Sequence, residues 1–113
     1  GRAMERAYLD NNATAPLLPE AFEAMRPYFS DRFGNASSPH ERGRLARAAL
    51  EEARAKVARL LGALPEEIVF TSGGSEGDTA ALLGLVSPGD HVVSSAVEHH
   101  AVLQPCKRLP VPP

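Results

Sequence analysis

Two short stretches hold the residue types best suited to chemistry: Thr71-Ser72-Gly73-Gly74-Ser75-Glu76 and Val97-Glu98-His99-His100-Ala101-Val102. In the first, Gly73 and Gly74 let the backbone pass close to a ligand. Ser75 adds a hydroxyl at the start of a predicted helix, whose first amides have no internal partner. A phosphate dianion there would gain hydrogen bonds and a helix-end contribution of about 0.3–1 kcal/mol. The same Gly-Gly-Ser also reads as a bare tight turn, and it is not a Walker loop, because no Gly-Lys-Ser/Thr follows it. In the second stretch, His99 stands at another predicted strand-to-helix junction. An imidazole there can stack on a flat heteroaromatic ring, exchange protons, or simply cap its helix. His99 and Cys106 lie two helical turns apart and open a zinc reading, but metal sites need three or four ligands, so no metal is expected. Cys106 itself reads as a small residue on an apolar face.

The elements that must position these groups follow from hydropathy and punctuation. Tyr8-Leu9-Asp10 is a short extended entry, followed by turn residues Asn11 to Pro16. A helix is predicted from Pro19 to about Phe29, with Phe22, Met25 and Phe29 on one stripe and Pro27 able to end or kink it. A loop turning at Gly34-Asn35 leads to the longest helix, predicted to start at Ser38 as a capping hydroxyl and to stop at Gly62. Leu45, Ala49, Ala53, Val57 and Leu60 form its expected buried seam, Glu52 and Lys56 an i,i+4 pair, and the arginines from Arg42 to Arg59 a solvated face. Ile68-Val69-Phe70-Thr71 and His91-Val92-Val93-Ser94-Ser95 read as strands, the first buried on both faces. A helix from Ser75 to Leu83, ended by Gly84, and the turn Ser87-Pro88-Gly89-Asp90 lie between them, making one right-handed βαβ unit. The last helix is predicted from His99 to Leu109. In such a unit, both chemical stretches emerge at the carboxyl edge of one parallel sheet, where α/β proteins bind ligands.

Composition limits the alternatives. The chain has 113 residues, 43% hydrophobic and 23% charged, and a formal net charge of -2, which fits a globular protein with no bulk attraction to nucleic acid or acidic lipid. One cysteine precludes an intrachain disulfide framework and suits a reducing compartment. No apolar run approaches the roughly 20 residues of a membrane span, so a cytoplasmic protein is expected. The start at Gly1 and the end at Pro113 both read as cut.

Four segments in order carry a family resemblance. Tyr8-Leu9-Asp10-Asn11-Asn12-Ala13-Thr14 resembles the opening of the cysteine desulfurases, class V enzymes of the pyridoxal-phosphate (PLP) fold type I. Gly34-Asn35-Ala36-Ser37-Ser38-Pro39-His40 is similar to their Gly-Asn-Pro-Ser-Ser-x-His segment, with Ala36 in place of proline. Ile68 to Glu76 resembles their strand and phosphate turn, where threonine is commoner than Ser75, and Val97 to Leu103 resembles the segment with the ring-stacking histidine. Thr79 departs from the family's usual asparagine.

The resemblance implies an α/β fold: a partial fold type I chain, consisting of the N-terminal segment plus the start of the large-domain parallel sheet with flanking helices. Residues 1–15 would be an N-terminal arm of the small-domain and substrate-entrance region, and 16–113 the first, incomplete part of the PLP-binding large domain. It implies that Gly74 and Ser75 bind the phosphate of pyridoxal 5′-phosphate and that His99 stacks on the pyridine ring and moves protons as the catalytic histidine. Asn11, Ala13 and Thr14 would lie near the substrate entrance, and His40 near the active-site mouth or a dimer contact. The implied activity converts L-cysteine to L-alanine and passes sulfur to an enzyme cysteine, for sulfur-acceptor or scaffold proteins of iron–sulfur and thiocofactor assembly. The full-length form would be a homodimer. The family's PLP-bonding lysine and sulfur-accepting cysteine match no residue here, since Lys56, Lys107 and Cys106 fall at other positions, so the isolated chain is expected to be inactive. Two-strand parallel pairs are also marginal alone. Selenocysteine lyase, another class V enzyme, or a catalytically dead phosphate-ligand binding remnant are the alternative readings.

Overall fold

The computed structural model describes residues 6–110; the first five residues of the expected arm and the last three of the proline-rich end lie outside the described residues. The chain divides into two units, Gly1–Pro65 and Glu66–Pro113.

In the first unit, the backbone turns after Asp10, whose carbonyl accepts from the Ala13 amide at 3.0 Å. Helix α1 spans Pro19–Met25, with proline at its first position, and a 3₁₀ turn, Arg26–Phe29, follows. Pro27 has no amide to continue the α pattern, so the predicted change of course falls where expected. Helix α2, Glu41–Leu61, is the longest element. It stops at Gly62 in the left-handed region (φ 67°), with Ala63 donating to the Ala58 carbonyl at 2.9 Å and Gly62 to Arg59 at 3.4 Å, a paired closure that only glycine enters cheaply.

Its start differs from the sequence expectation. Ser38 does not cap it: the Ser38 amide is held in a turn by the Asn35 carbonyl at 2.9 Å, and His40 caps instead, its Nδ1 accepting from the Gly43 amide at 3.4 Å. The expected seam also shifts. Leu45 and Leu60 are exposed, while Gly43 and Ala58 are the buried positions of α2, and Gly43 lies against the Ser38 and Asn35 carbonyls of the 34–40 loop.

The second unit holds α3, Gly74–Leu85, and α4, His100–Cys106, packed against each other. Helix α3 runs through Gly84 rather than ending there, since Gly84 is not at positive φ. The stop comes at Val86, in extended conformation just before Ser87-Pro88. The predicted turn forms as expected, with Gly89 at φ 96°, the Asp90 amide donating to the Ser87 carbonyl at 3.1 Å, and the Ser87 amide donating back to Asp90 Oδ2 at 2.7 Å. Helix α4 is shorter than predicted: Pro105 lies inside it and the α pattern ends one residue later.

The larger difference from the sequence expectation concerns the sheet. Among the described residues no β-strand forms, at 68–71 and 91–95 included. Val69 and Val93, expected in a doubly covered sheet, are 79% and 87% exposed. A parallel strand pair is stable only when both faces are covered and neighbouring strands continue the ladder, and two short segments with two helices do not supply that cover.

Candidate functional site

Gly74 and Ser75 are the first two residues of α3, and Gly73 precedes them with an extended backbone (φ 170°, ψ 178°). The first intrahelical bond is from the Gly77 amide to the Gly73 carbonyl, at 3.1 Å. The helix pattern therefore leaves the amides of Gly74, Ser75 and Glu76 over as donors. The glycines here are unlike Gly34 and Gly43, where the 34–40 loop meets α2. A Cβ on Gly34 would lie 2.5 Å from the Arg42 carbonyl oxygen, and one on Gly43 would run into the carbonyls of Ser38 and Asn35, so packing within the chain requires both. At Gly73 and Gly74 an added Cβ would meet nothing within 4 Å, and neither residue lies in the left-handed region. Neither the chain's own packing nor its backbone conformation explains why glycine stands at these two positions. The open space beside both leaves room for a ligand to approach the backbone.

The turn is locked from one side. Glu76 folds its carboxylate back, accepting from the Ser72 hydroxyl at 2.5 Å and the Ser72 amide at 2.8 Å, and Thr71 Oγ1 donates to the Gly73 carbonyl at 3.1 Å. The Ser72 hydroxyl, and next its amide, hold the Glu76 carboxyl below the ordinary glutamate value. This two-point bonding from Ser72 fixes the entry to α3 while leaving the Gly74 and Ser75 amides over as donors. The donor set is neutral N–H and O–H groups at a helix N-terminus, which suits a phosphate. These residues fit the phosphate of PLP.

His99 is the N-cap of α4, in extended conformation (φ -65°, ψ 151°), its Nδ1 accepting from the Ala101 amide at 3.1 Å. The capping alternative left open by the sequence is thus realised. Capping uses the ring edge and leaves the exposed ring face available. The neighbouring His100 ring is 6.2 Å away and tilted by 59°, so it does not stack on His99.

The structure thus puts Gly74, Ser75 and His99 on two packed helices of one unit. Asn11, Ala13, Thr14 and His40 belong to the other unit. Asn11, Ala13 and Thr14 are exposed in and after the turn that follows Asp10, and His40 caps α2. Clefts of 420 Å³ and 690 Å³ in that unit are lined by residues such as Tyr28, Arg32 and Glu52 and by none of the expected site residues. Among the described residues, no three His, Cys, Asp or Glu side chains gather to hold a metal ion. No helix there is long and apolar enough to cross a membrane.

Sequence reasoning missed the clasp around the 34–40 loop. Arg47 Nε donates to the Ala36 carbonyl at 2.8 Å and an Arg44 guanidinium nitrogen to the Pro39 carbonyl at 3.0 Å, while Arg42 lies 4.5 Å over the Phe33 ring. These arginines are exposed, but they tie down a loop rather than forming a purely solvated face. The signal that could have found the clasp is Gly43, a poor helix former placed within the first turn of a long helix.

The sequence model of the aminotransferase class-V family matches residues 7–110. The chain is 52% identical over 106 residues to cysteine desulfurase IscS of Dictyoglomus turgidum, covering 90% of this chain and 27% of that protein. It is 46% identical over 110 residues to putative cysteine desulfurase IscS 1 of Bacillus subtilis, covering 94% and 29%. A cysteine desulfurase of Cereibacter sphaeroides is 49% identical over 110 residues, covering 94% and 28%. The chain therefore spans little more than a quarter of the length of these relatives. The class V domain implies the PLP fold type I architecture. With the family match running from before the Asp10 turn through both helix-opening motifs to Pro110, the chain belongs to the aminotransferase class-V family.

Proposed function

We propose that this chain is the N-terminal part of a PLP-dependent cysteine desulfurase, which moves sulfur from L-cysteine to an enzyme cysteine, leaves L-alanine, and supplies iron–sulfur and thiocofactor assembly through acceptor or scaffold proteins. The observation that carries the cofactor assignment is the α3 entry, where two glycines unexplained by packing or backbone conformation precede Ser75 and a row of leftover amides. The names and roughly 50% identities of the relatives supply the substrate class.

In this reading, the Gly74 and Ser75 amides and the Ser75 hydroxyl hold the phosphate, and Glu76 keeps the turn shaped by binding Ser72. His99 lays its ring face on the pyridine and orients it. When bound, PLP supplies an electron sink for the substrate carbon next to the amine. Residues 1–15 act as an arm at the substrate entrance, with Asn11, Ala13 and Thr14 near it, and 16–113 open the large domain, where 68–71 and 91–95 become strands of a wider parallel sheet. His40 stands near the active-site mouth or a dimer contact of a cytoplasmic homodimer.

The test is made in the full-length protein containing these residues. Gly74→Asp places a carboxylate at the phosphate seat, and Ser75→Ala removes one donor. Loss of about 1–2 kcal/mol of binding for the hydroxyl corresponds to roughly tenfold weaker PLP retention, with a larger loss for Gly74→Asp. Alanine release from L-cysteine should fall with His99→Ala while PLP content is kept. Unchanged PLP content in Gly74→Asp would remove the phosphate assignment, and an active protein that releases no alanine from cysteine would remove the substrate.

A further inference from the structure

We infer that the Ala101 backbone amide gates proton chemistry at His99 by holding the ring as its Nε2–H tautomer. The inference rests on the reading of His99 as the ring-stacking residue, and it concerns what that ring can do once in place.

The geometry is direct. Ala101 N–H donates to Nδ1 at 3.1 Å, so Nδ1 must present its lone pair and carry no proton. In a neutral imidazole the single N–H is then on Nε2. His99 is exposed, and among the described residues no protein acceptor engages Nε2. The capped ring therefore offers only a hydrogen-bond donor at Nε2. It cannot take up a proton there, because Nε2 already has one, and its one basic lone pair is occupied by the amide. Nor can it give up the Nε2 proton without becoming an anion, unless Nδ1 gains a proton at the same moment. Either direction of transfer requires Nδ1 to leave Ala101. While capped, His99 orients its ligand through Nε2–H and its ring face; uncapped, it becomes an acid or base. Ala101 is thus a positioning residue that acts through His99. His40 is held the same way by Gly43 at a longer 3.4 Å, which makes it an internal comparison on another helix.

The experiment is nitrogen NMR of the full-length protein labelled with [15N]histidine, without PLP and in alkaline buffer, the His99 signals being assigned by His99→Gln. The expected spectrum shows an unprotonated Nδ1 and a protonated Nε2 in a single tautomer. Ala101→Pro deletes the donor at a first-turn position where proline is tolerated, and should give both tautomers in exchange, whereas Ala101→Gly should keep the native pattern. A protonated Nδ1 in the native protein overturns the inference, as does an Ala101→Pro spectrum identical to native. The native spectrum decides the question even if Ala101→Pro does not fold. Since no cofactor is present, failure here is distinct from failure of the PLP assignment, which is read from PLP content.

Discussion

Replacing Gly43 with alanine should reverse the usual effect of that substitution in a helix. Ala is favoured over Gly in a helix interior by roughly 0.8–1 kcal/mol, and α2 is otherwise rich in good helix formers. Gly43, however, is buried under the 34–40 loop, where a Cβ would overlap the Ser38 carbonyl oxygen and stand 2.8 Å from that of Asn35, both inside the 3.0 Å that real Cβ contacts respect. Those carbonyls are backbone, so relief requires the loop itself to move. Overpacking of this kind costs roughly 1–3 kcal/mol. Shifting Asn35 also gives up the bond its carbonyl accepts from Ser38 at 2.9 Å, worth about 1 kcal/mol. Set against the propensity gain, the net is a destabilisation of about 2 kcal/mol. The matched control is Gly84→Ala in α3, where an added Cβ meets nothing within 4 Å and the propensity gain should appear as stabilisation of about 0.5–1 kcal/mol. Urea unfolding of both variants and the native protein gives the comparison. A Gly43→Ala protein as stable as Gly84→Ala would show that the loop does not press on α2 as described.

Further outcomes follow from single contacts. Arg47→Ala removes the donor to the Ala36 carbonyl and should speed hydrogen exchange at the Ser37 and Ser38 amides, with a stability loss of about 1 kcal/mol; unchanged exchange there would mean the clasp contributes nothing. Because Ser72 lowers the Glu76 pKa, the folded state favours the ionised carboxylate. That stabilisation is complete above the ordinary glutamate value and is lost as pH falls through the lowered folded value, so the entry to α3 should loosen only in acid. Carboxyl NMR of Glu76 checks this, with Glu76→Gln abolishing the acid step, and a Glu76 that titrates like a free glutamate would contradict it. The Glu52–Lys56 ion pair, 2.6 Å long and 67% exposed on each side, should give Lys56→Ala a small stability loss in low salt that disappears in high salt. A loss that persists in molar salt would point to a packing role for the lysine stem.

What was legible in the residues was mostly local. Pro19 at a helix start, Pro27 at a change of course, Gly62 as a left-handed stop and the Ser87–Asp90 turn all depend on one or two backbone angles, which a side chain or its absence sets directly. The candidate site was legible for the same reason, since Gly73-Gly74-Ser75 opening a helix and His99 at the next helix start are chain-neighbour patterns. The family's order of motifs then supplied a ligand class that composition and periodicity had left open.

Tertiary structure decided the rest. Ser38 and His40 are both credible caps by residue type, and the Asn35 turn chose between them by holding the Ser38 amide. Arginines that read as solvated became a clasp, because Arg44 and Arg47 reach carbonyls of a loop five and eleven residues away. The segments 68–71 and 91–95 have the composition of buried strands, yet composition states only what a segment would gain from a sheet. Whether it joins one depends on neighbours that cover both faces and continue the ladder. The sequence by itself determined the change of course at Pro27, the stop of α2 at Gly62, and the placing of Gly73-Gly74-Ser75 and His99 at the openings of α3 and α4. The packing of the 34–40 loop on α2 decided that Gly43 must be glycine, and the folded geometry of each helix entry decided that Glu76 braces α3 through Ser72 and that the His99 ring nitrogen is engaged by its own helix.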